Sequence, residues 1–259
     1  MRGSTPVVRV GQCQPEGEYL ELVTTADLHL GAQTHDPARA ARHRKYILEE
    51  PDRFTWDVGD ALENATKHSV GLGVFEQTMR PSEQREAGRE YYRPLADSGQ
   101  LLGVLDSNHG QRGKDVDANA QEILAEMLDV PFLGARVVFV FNVGRFSYSV
   151  YSTHGKGGGT ATAGRIKVLE RLRNQNQGLD AYIVGHFHSN IIVPFTCQRY
   201  EPRKFKLVPH IQYGAIAAGF LDYEGSYAEA EGYDYPIPGQ VSIRMYKDER
   251  KIEVVRLAN

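Results

Sequence analysis

Residues 21–29, ELVTTADLH, contain the pattern that decides the fold. Their apolar, β-branched run predicts a buried strand, which passes directly into two polar side chains, Asp27 and His29. Apolar strands that stop abruptly at polar residues recur at four further places, namely Asp60, Asn108 with His109, His154, and His186 with His188. In open α/β sheets, ligands gather at the carboxyl ends of strands. The five places therefore predict one functional site.

The first half of the chain predicts strands that alternate with helices. Asp36 followed by Pro37 is a helix-start signal, an N-cap carboxylate before a proline in the first turn. Pro94 is expected to end a later, polar helix. In chain order the predicted elements are a strand over 21–29, a helix over 37–49, strands over 53–60 and 101–105 with a helix over 82–92 between them, and an amphipathic helix over 117–128.

The second half is richer in strands. Residues 136–154 predict a hairpin, and a helix over 165–176 precedes a buried strand that ends at His186. From Ile191 onward we expect mostly short strands, separated by proline, glycine and acidic turns. This order of elements predicts an α/β fold of packed sheets flanked by helices. Residues 1–259 are expected to form a single domain.

The composition is that of an ordinary globular protein, with 41% hydrophobic and 24% charged residues. The formal net charge is only −3, from 30 basic and 33 acidic residues. Proteins that coat nucleic acid more often carry a basic stripe, so the charge balance disfavours general polyanion binding. A local basic groove or bound metal ions would still allow a nucleic acid to bind.

The cysteines and the apolar segments indicate the compartment. Cys13 and Cys197 are too few for a disulfide framework and form no CxxC pair, so both are expected to be reduced. No apolar run approaches the roughly 20 residues of a membrane span. The opening MRGSTPVVRV lacks the apolar core of a signal peptide. We expect a cytoplasmic protein without a membrane partner.

The strand-end residues form a donor set that suits metal ions. Carboxylate, imidazole and amide oxygen are ligands for divalent ions such as Mn, Fe, Zn or Mg. Asp27 and His29 are one residue apart, so an extended strand projects both to the same side, and His186 and His188 share this spacing. Eight such residues exceed the need of one ion but suit two. A carboxylate can contact both ions, which makes Asp60 the natural bridge.

These motifs resemble the signature of the calcineurin-like metallophosphoesterases. The run GDALENATKHSVG and the segment AAGFLDYEGSY resemble the compact phage and prokaryotic type. The start TTADLHLGA also has some similarity to the repair-nuclease branch of that superfamily. The matching motifs are D-x-H at Asp27 and His29, G-D at Gly59 and Asp60, N-H at Asn108 and His109, H-G at His154 and Gly155, and G-H-x-H at Gly185, His186 and His188. The resemblance implies a four-layer α/β/β/α sandwich with two central sheets packed face to face.

The resemblance also implies roles for individual residues. It implies two divalent metal ions. Manganese is the metal we expect, and iron, zinc, nickel or magnesium are alternatives. One ion would take Asp27, His29, Asp60 and His188, and the other Asp60, Asn108, His154 and His186. His109 would stay off the metals and act on the substrate as the catalytic residue. The implied reaction is hydrolysis of a phosphate ester by a hydroxide that bridges the two ions.

The sequence departs from the family pattern after the Asn-His pair. The family usually has a glycine before this pair and an acid after it, and the acid orients the histidine. Here Ser107 precedes the pair and Gly110 follows it. Asp106 or an acid from elsewhere in the chain could take the place of the missing one.

The substrate is less well specified than the metal site. Arg112 and Lys156 are candidate phosphate contacts, although the glycine-rich segment around Lys156 is not a P-loop and could serve only as a flexible loop. A phosphodiester, either a nucleotide or a nucleic acid, is favoured as substrate. A phosphomonoesterase or protein phosphatase is the alternative, and a non-catalytic scaffold on the same fold is a third possibility.

Overall fold

The computed structural model describes residues 5–66, 69, 73–113, 119–157, 161–201, 205–232 and 234–258. Its strands form two six-stranded sheets that pack face to face around one apolar cluster. A second cluster joins one sheet to three helices, and a third joins the other sheet to one helix. The layers therefore run helix, sheet, sheet, helix, which confirms the predicted four-layer α/β/β/α sandwich.

The elements alternate in chain order as follows. The strands are β1 (Val7–Cys13), β2 (Tyr19–Thr25), β3 (Arg53–Asp57), β4 (Leu101–Leu105), β5 (Phe132–Gly134), β6 (Arg136–Val143), β7 (Phe146–Thr153), β8 (Ala181–Val184), β9 (Ile191–Glu201), β10 (Lys206–Ile216), β11 (Gln240–Tyr246) and β12 (Ile252–Leu257). The helices are α1 (Pro37–Leu48), α2 (Gly73–Glu76), α3 (Pro81–Asp97), α4 (Ala120–Leu128), α5 (Thr162–Gln175) and α6 (Tyr227–Ala230), with a 3-10 helix over Gly110–Gly113.

The two sheets are mixed. Sheet 1 has the order β1-β6-β7-β8-β10-β9, and sheet 2 has the order β12-β11-β2-β3-β4-β5. In sheet 2, β2, β3, β4 and β5 are parallel, and in sheet 1, β7 is parallel to β8. Parallel neighbours end at the same edge, so several strands of each sheet deliver their carboxyl ends to one side of the sandwich.

A buried hydrogen bond connects the two sheets near the strand ends that precede the metal-ligand motifs. Trp56 on β3 is fully buried, packs against Phe139 with ring centroids 5.4 Å apart, and donates from Nε1 to Ser152 Oγ at 2.8 Å. A buried indole N–H without an acceptor would be costly, so the partner on β7 fixes how the two strands face each other. The residues that follow these strands include Asp60 and His154.

Helix α3 does not end before Pro94, contrary to the sequence prediction, but continues to Asp97. A proline inside a helix removes one hydrogen bond and leaves the carbonyl four residues earlier without its usual donor. That carbonyl, of Glu90, accepts from Arg44 Nη1 at 3.2 Å. Burial of Leu95, beyond the proline, also favours continuation of the helix.

The prediction of mostly short strands after Ile191 is also wrong, because β9 and β10 form a hairpin of two 11-residue strands. Both strands contain a proline, which sequence reasoning treated as a break. Pro194 lies on β9, the edge strand of sheet 1. Pro209 lies on the part of β10 that precedes its pairing with β8, which begins at Tyr213. Prolines are tolerated where a strand has a free edge.

The other predicted elements are present with shifted ends. Strands β2 and β3 end at Thr25 and Asp57, four and three residues earlier than expected, because the backbone turns at the predicted ligand residues. Asn119 caps α4 at residue 120, and the predicted residues 117–118 lie outside the described residues, as do 158–160 of the glycine-rich segment. No helix in the described part of the chain has the length and hydropathy to span a membrane.

Buried His43 on α1 predicts a pH-dependent stability. Burial lowers its pKa to about 3, whereas an unfolded histidine titrates near 6.5. Between these values the unfolded chain binds more protons, so this contribution to stability is complete above pH 6.5 and is lost as the pH falls. We expect a His43→Gln variant to reduce the pH dependence of the unfolding free energy by up to about 1.4 kcal/mol per pH unit. Urea unfolding of both proteins at pH 5 and pH 7 gives their unfolding free energies. If the unfolding free energy changes equally between the two pH values in both proteins, the prediction is contradicted.

Candidate metal centre

All five ligand motifs meet where strands of both sheets end. Sheet 2 supplies Asp27 and His29 after β2, Asp60 after β3, and Asn108 and His109 after β4, whereas sheet 1 supplies His154 after β7 and His186 and His188 after β8. Each residue follows its strand by one to four positions. The parallel arrangement of the strands therefore brings together residues that are as far as 161 positions apart, from Asp27 to His188.

Backbone hydrogen bonds hold the ligand loops side by side. The amides of Asp27 and His29 donate to the carbonyls of Gly59 and Asp60 at 3.0 and 2.9 Å. The amide of His186 donates to both carboxylate oxygens of Asp27 at 3.0 Å. This last contact joins the end of β8 to the end of β2, so it connects the two sheets directly at the site.

The backbone is strained at five of the predicted ligands. These residues lie in the left-handed region, with φ between 49° and 68°, and they are Asp27, His29, Asp60, His186 and His188. The left-handed conformation costs a non-glycine residue about 1–2 kcal/mol. Such conformations cluster at functional sites, where the surrounding structure enforces them. They also explain why strands β2 and β3 stop short of their predicted ends.

The glycines of two motifs are required by close contacts. A Cβ on Gly59, whose φ is 108°, would lie 2.6 Å from His154 Nδ1. A Cβ on Gly185 would lie 2.8 Å from Asp27 Oδ2. No side chain fits at either position without displacing a metal-ligand candidate, so these glycines allow the loops to approach each other.

One group of donors consists of Asp27, His29 and His188. The Nε2 atoms of His29 and His188 lie 3.1 Å apart, and His188 Nε2 lies 3.2 Å from Asp27 Oδ1. Two imidazole nitrogens and a carboxylate oxygen that converge in this way suit a divalent cation.

The second group consists of Asp60, His154 and His186, whose ligand atoms lie within 4.8 Å of one another. Asn108 joins it, because its Oδ1 lies 2.9 Å from His154 Nε2. Asp60 Oδ2 lies 3.1 Å from His154 Nε2 and 3.9 Å from His29 Nε2. The carboxylate of Asp60 therefore lies between the two groups.

Outer hydrogen bonds orient three of the imidazole rings. His29 Nδ1 donates to Glu63 Oε2 at 2.8 Å, and His154 Nδ1 donates to the carbonyl of Val58 at 3.1 Å, so both rings direct Nε2 into the site. His186 is turned the other way, because its Nε2 lies 2.9 Å from the carbonyl of Gly157 and Nδ1 remains for a metal. Metal-bound histidines are typically held in this manner through their second nitrogen.

The buried carboxylates depend on histidines for charge compensation. Burial raises the pKa of Asp60, but His154 and His109 outweigh burial and bring it well below its usual value. Burial lowers the pKa of His154, but Asp60 and Asp27 raise it to about 9. Within the described residues, no lysine or arginine forms an ion pair with either aspartate. Buried anions with this environment favour a bound cation.

Glu63 is a site residue that sequence reasoning missed. Its carboxylate accepts from His29 Nδ1 at 2.8 Å and lies 3.5 Å from His109 Nδ1. Its backbone carbonyl accepts from His109 Nδ1 at 2.7 Å. Glu63 thus lies beside His109, where the family pattern expects an acid. The one available signal was its place three residues after Asp60.

Asp106 does not take that place. Its carboxylate accepts from the Ser107 amide and the Asn119 side chain, and from Gln111 Nε2 at 2.6 Å. These contacts direct it toward the 3-10 helix and the start of α4, whereas the carboxylate of Glu63 lies 3.5 Å from His109 Nδ1. The alternative of an acid from elsewhere in the chain is therefore the one that fits.

The two candidate phosphate contacts differ in their surroundings. Arg112 is half-buried and donates from Nη1 to the carbonyl and to Oε1 of Glu63 at 2.9 and 3.1 Å. Its charge is thus largely compensated within the site. Lys156 is exposed on the loop that follows His154. Arg112 lies in the 3-10 helix and Lys156 in a loop, and both border the site.

The chain is similar in structure to solved phosphoesterases. A Streptococcus pneumoniae TIGR4 protein described as a "predicted phosphoesterase" is 10% identical, with 92% of this chain and 90% of that chain covered and a TM-score of 0.40. A metallophosphoesterase from Sphaerobacter thermophilus is 14% identical, with 92% and 88% covered and a TM-score of 0.39. A calcineurin-like phosphoesterase from Bacillus subtilis is 11% identical, with 92% and 88% covered and a TM-score of 0.38.

No family model and no curated protein matches the chain in sequence. The structural likeness, at these identities and TM-scores, carries no argument about activity. Function must therefore be inferred from the residues of this chain and their geometry.

The position of Glu63 predicts an effect on metal affinity. In a Glu63→Gln variant, His29 loses the charged acceptor that orients its ring, and we expect Mn²⁺ to bind about 10- to 100-fold more weakly. Titration calorimetry on both proteins measures this. Glu90→Gln, on the exposed face of α3, is the matched control and should leave the affinity unchanged. Equal affinities in all three proteins would show that Glu63 does not support the metal centre.

Proposed function

We propose that this protein is a phosphoesterase that uses two divalent metal ions to hydrolyse a phosphate ester with water. The observation that carries the proposal is the place of Asp60. Its carboxylate lies 3.1 Å from a nitrogen of His154 and 3.9 Å from one of His29, between two groups of donors. A shared carboxylate is typical of sites that hold two ions about 3.5–4 Å apart.

The donor set fits such ions. Asp27, His29 and His188 would hold one ion and Asn108, His154 and His186 the other, with Asp60 between them. The mixture of nitrogen and oxygen donors without thiolate suits manganese, and iron, zinc, nickel or magnesium are alternatives. When bound, the ions would supply an activated water near neutral pH and charge stabilisation at the phosphoryl oxygens.

We assign proton transfer to His109. Its Nδ1 donates to the carbonyl of Glu63, which leaves Nε2 directed toward the site, 3.7 Å from Asp60 Oδ2. Burial is the main reason that its pKa is lowered to about 4, so the ring is neutral at rest. Nε2 can then take up the proton that the attacking water loses and pass it to the oxygen that leaves. Burial of the side chain, of which 11% is exposed, limits exchange of this proton with bulk water.

The charge of the two proposed ions attracts either ester, so our preference for a phosphodiester over a monoester rests on the protein's own cations. A diester carries one negative charge, whereas a monoester near neutral pH carries up to two. Glu63 already compensates the charge of Arg112, and this leaves Lys156 as the candidate cation for the substrate. A nucleotide or nucleic acid is the diester that we propose. Hydrolysis of bis-p-nitrophenyl phosphate, compared with p-nitrophenyl phosphate, tests the preference in the presence of Mn²⁺.

Replacement of Asp60 tests the two-metal site. We expect Asp60→Ala to reduce bound Mn²⁺ by at least one ion per chain and to abolish diester hydrolysis, because both groups of donors lose their common carboxylate. Elemental analysis and a p-nitrophenol assay give the two readouts. Asp97→Ala, on the exposed end of α3, is the control. Full activity of the Asp60 variant would rule out the two-metal model.

Replacement of His109 tests its separation from the metals. We expect His109→Ala to retain both ions and to lose about 10²- to 10⁴-fold in turnover, the usual contribution of a general acid or base. The loss should be larger for alkyl esters than for nitrophenyl esters, because a poor leaving group needs the proton more. Loss of a metal ion in this variant would make His109 a ligand instead.

A further inference from the structure

A cavity of about 410 Å³ lies at the far end of sheet 1 from the metal centre. The last turn of α5 and the residues after it form one wall, and the β9–β10 hairpin forms the other. We call it the hairpin pocket, and the lining residues that matter below are Arg173, Gln177, Cys197, Arg199, His210 and Gln212. Gln177 precedes β8, whereas the metal-ligand candidates His186 and His188 follow it, so the two sites occupy opposite ends of the strand.

Cross-strand pairs of the β9–β10 hairpin form one wall of the hairpin pocket. Arg199 pairs with Val208, Cys197 with His210, and residue 195 with Gln212, and these cross-strand pairs share one face of the hairpin. Helix α5 packs against β8 and β10 through Leu169. The unusually long hairpin continues beyond β8, and its projecting part encloses the cavity together with the end of α5.

The lining is positively charged. It contains two guanidinium groups, those of Arg173 and Arg199, and no carboxylate among the lining residues that the structure describes. Neither arginine has an ion-pair partner in the described part of the chain. The C-terminus of α5 contributes about half a negative charge, which two full positive charges outweigh. The chain as a whole has a net charge of −3, so this excess is local.

The arginines are held in different ways. Arg173 donates from Nε to Gln212 Oε1 at 2.9 Å and lies over the ring of Phe195 at 5.2 Å, so its outer nitrogens remain for a ligand. Arg199 is exposed at the rim of the pocket. A guanidinium binds a phosphate in a bidentate manner, and a preorganised one loses little entropy in doing so.

A histidine, His210, also lines the pocket. His210 Nε2 is buried without a hydrogen bond, and its nearest charged neighbour is Asp180 Oδ1 at 3.7 Å. Asp180 is itself bound by Arg250 at 2.7 Å and by the Ser149 amide at 2.8 Å. The carboxylate behind the pocket is therefore compensated and does not cancel the charge of the lining.

We propose that the hairpin pocket is a second binding site, for a small ligand that carries a phosphate group and has the size of a nucleoside monophosphate. A volume of 410 Å³ falls within the range of ligand pockets, about 300–1,000 Å³. Two guanidinium groups match the two charges of a phosphate monoester.

Binding of AMP in the presence of EDTA tests the site apart from metal-dependent chemistry. We expect AMP and inorganic phosphate to bind and adenosine not to bind, as measured by titration calorimetry. In ¹⁵N spectra, AMP should shift the amides of residues 173–178, 197–200 and 210–212. Shifts confined to the ligand loops around Asp60 and His186, equal binding of adenosine, or no binding of AMP would each overturn the proposal.

Variants of the two arginines give the decisive comparison. Arg199→Gln and Arg173→Gln should each weaken AMP binding by roughly tenfold or more, because each removes a charge-assisted hydrogen bond. Arg171→Gln, on the exposed side of the same helix, is the matched control and should bind as the wild type does. Arg199 is exposed, so its replacement leaves the fold intact even if the Arg173 variant is destabilised. Unchanged affinity in the Arg199 variant would show that the pocket does not bind phosphate.

Discussion

The buried carboxylate of Asp27 is the constraint on which the site depends. It is fully buried at the edge of one sheet and accepts hydrogen bonds from the His186 amide of the other sheet. A buried anion without compensation would cost several kcal/mol, so the histidines and amides around it must be in place when the chain is folded. The same requirement applies to Asp60. The two aspartates therefore determine how closely the ends of the sheets approach each other.

The strained backbone has a related origin. Side chains from β2, β3 and β8 can point at one locus only if the chain turns sharply after each strand, and left-handed residues make these turns. Gly59 and Gly185 then allow the loops to pass without steric conflict. Packing between the sheets, to which the fully buried Trp56 contributes, must supply the energy that keeps these conformations populated. In this fold the core stabilises a geometry that local sequence preferences oppose.

Much of this arrangement could be predicted from the sequence, because a single pattern, an apolar strand that stops at polar residues, predicts both the sheets and the site. The motifs placed Asp27, Asp60 and His154 at strand ends, and the structure brings them together. Glu63 could not be found in this way, since its role depends on a loop path that no periodicity encodes. The continuation of α3 through Pro94 could not be predicted for a similar reason. The carbonyl of Glu90, which the proline leaves without its usual donor, accepts from Arg44, and Arg44 lies 46 residues away in sequence.

The contact between His186 and Asp27 spans 159 residues of chain. Contacts at such separation form late, because the entropy of closing a long loop must be overcome first. A nascent chain on the ribosome would thus emerge with its first carboxylates long before the histidines that complete the centre. In the proposed two-metal centre, metal binding would assist the late stage of folding, after the apolar strands have packed. Binding of both proposed metal ions would accordingly require that both sheets of the sandwich have folded and packed.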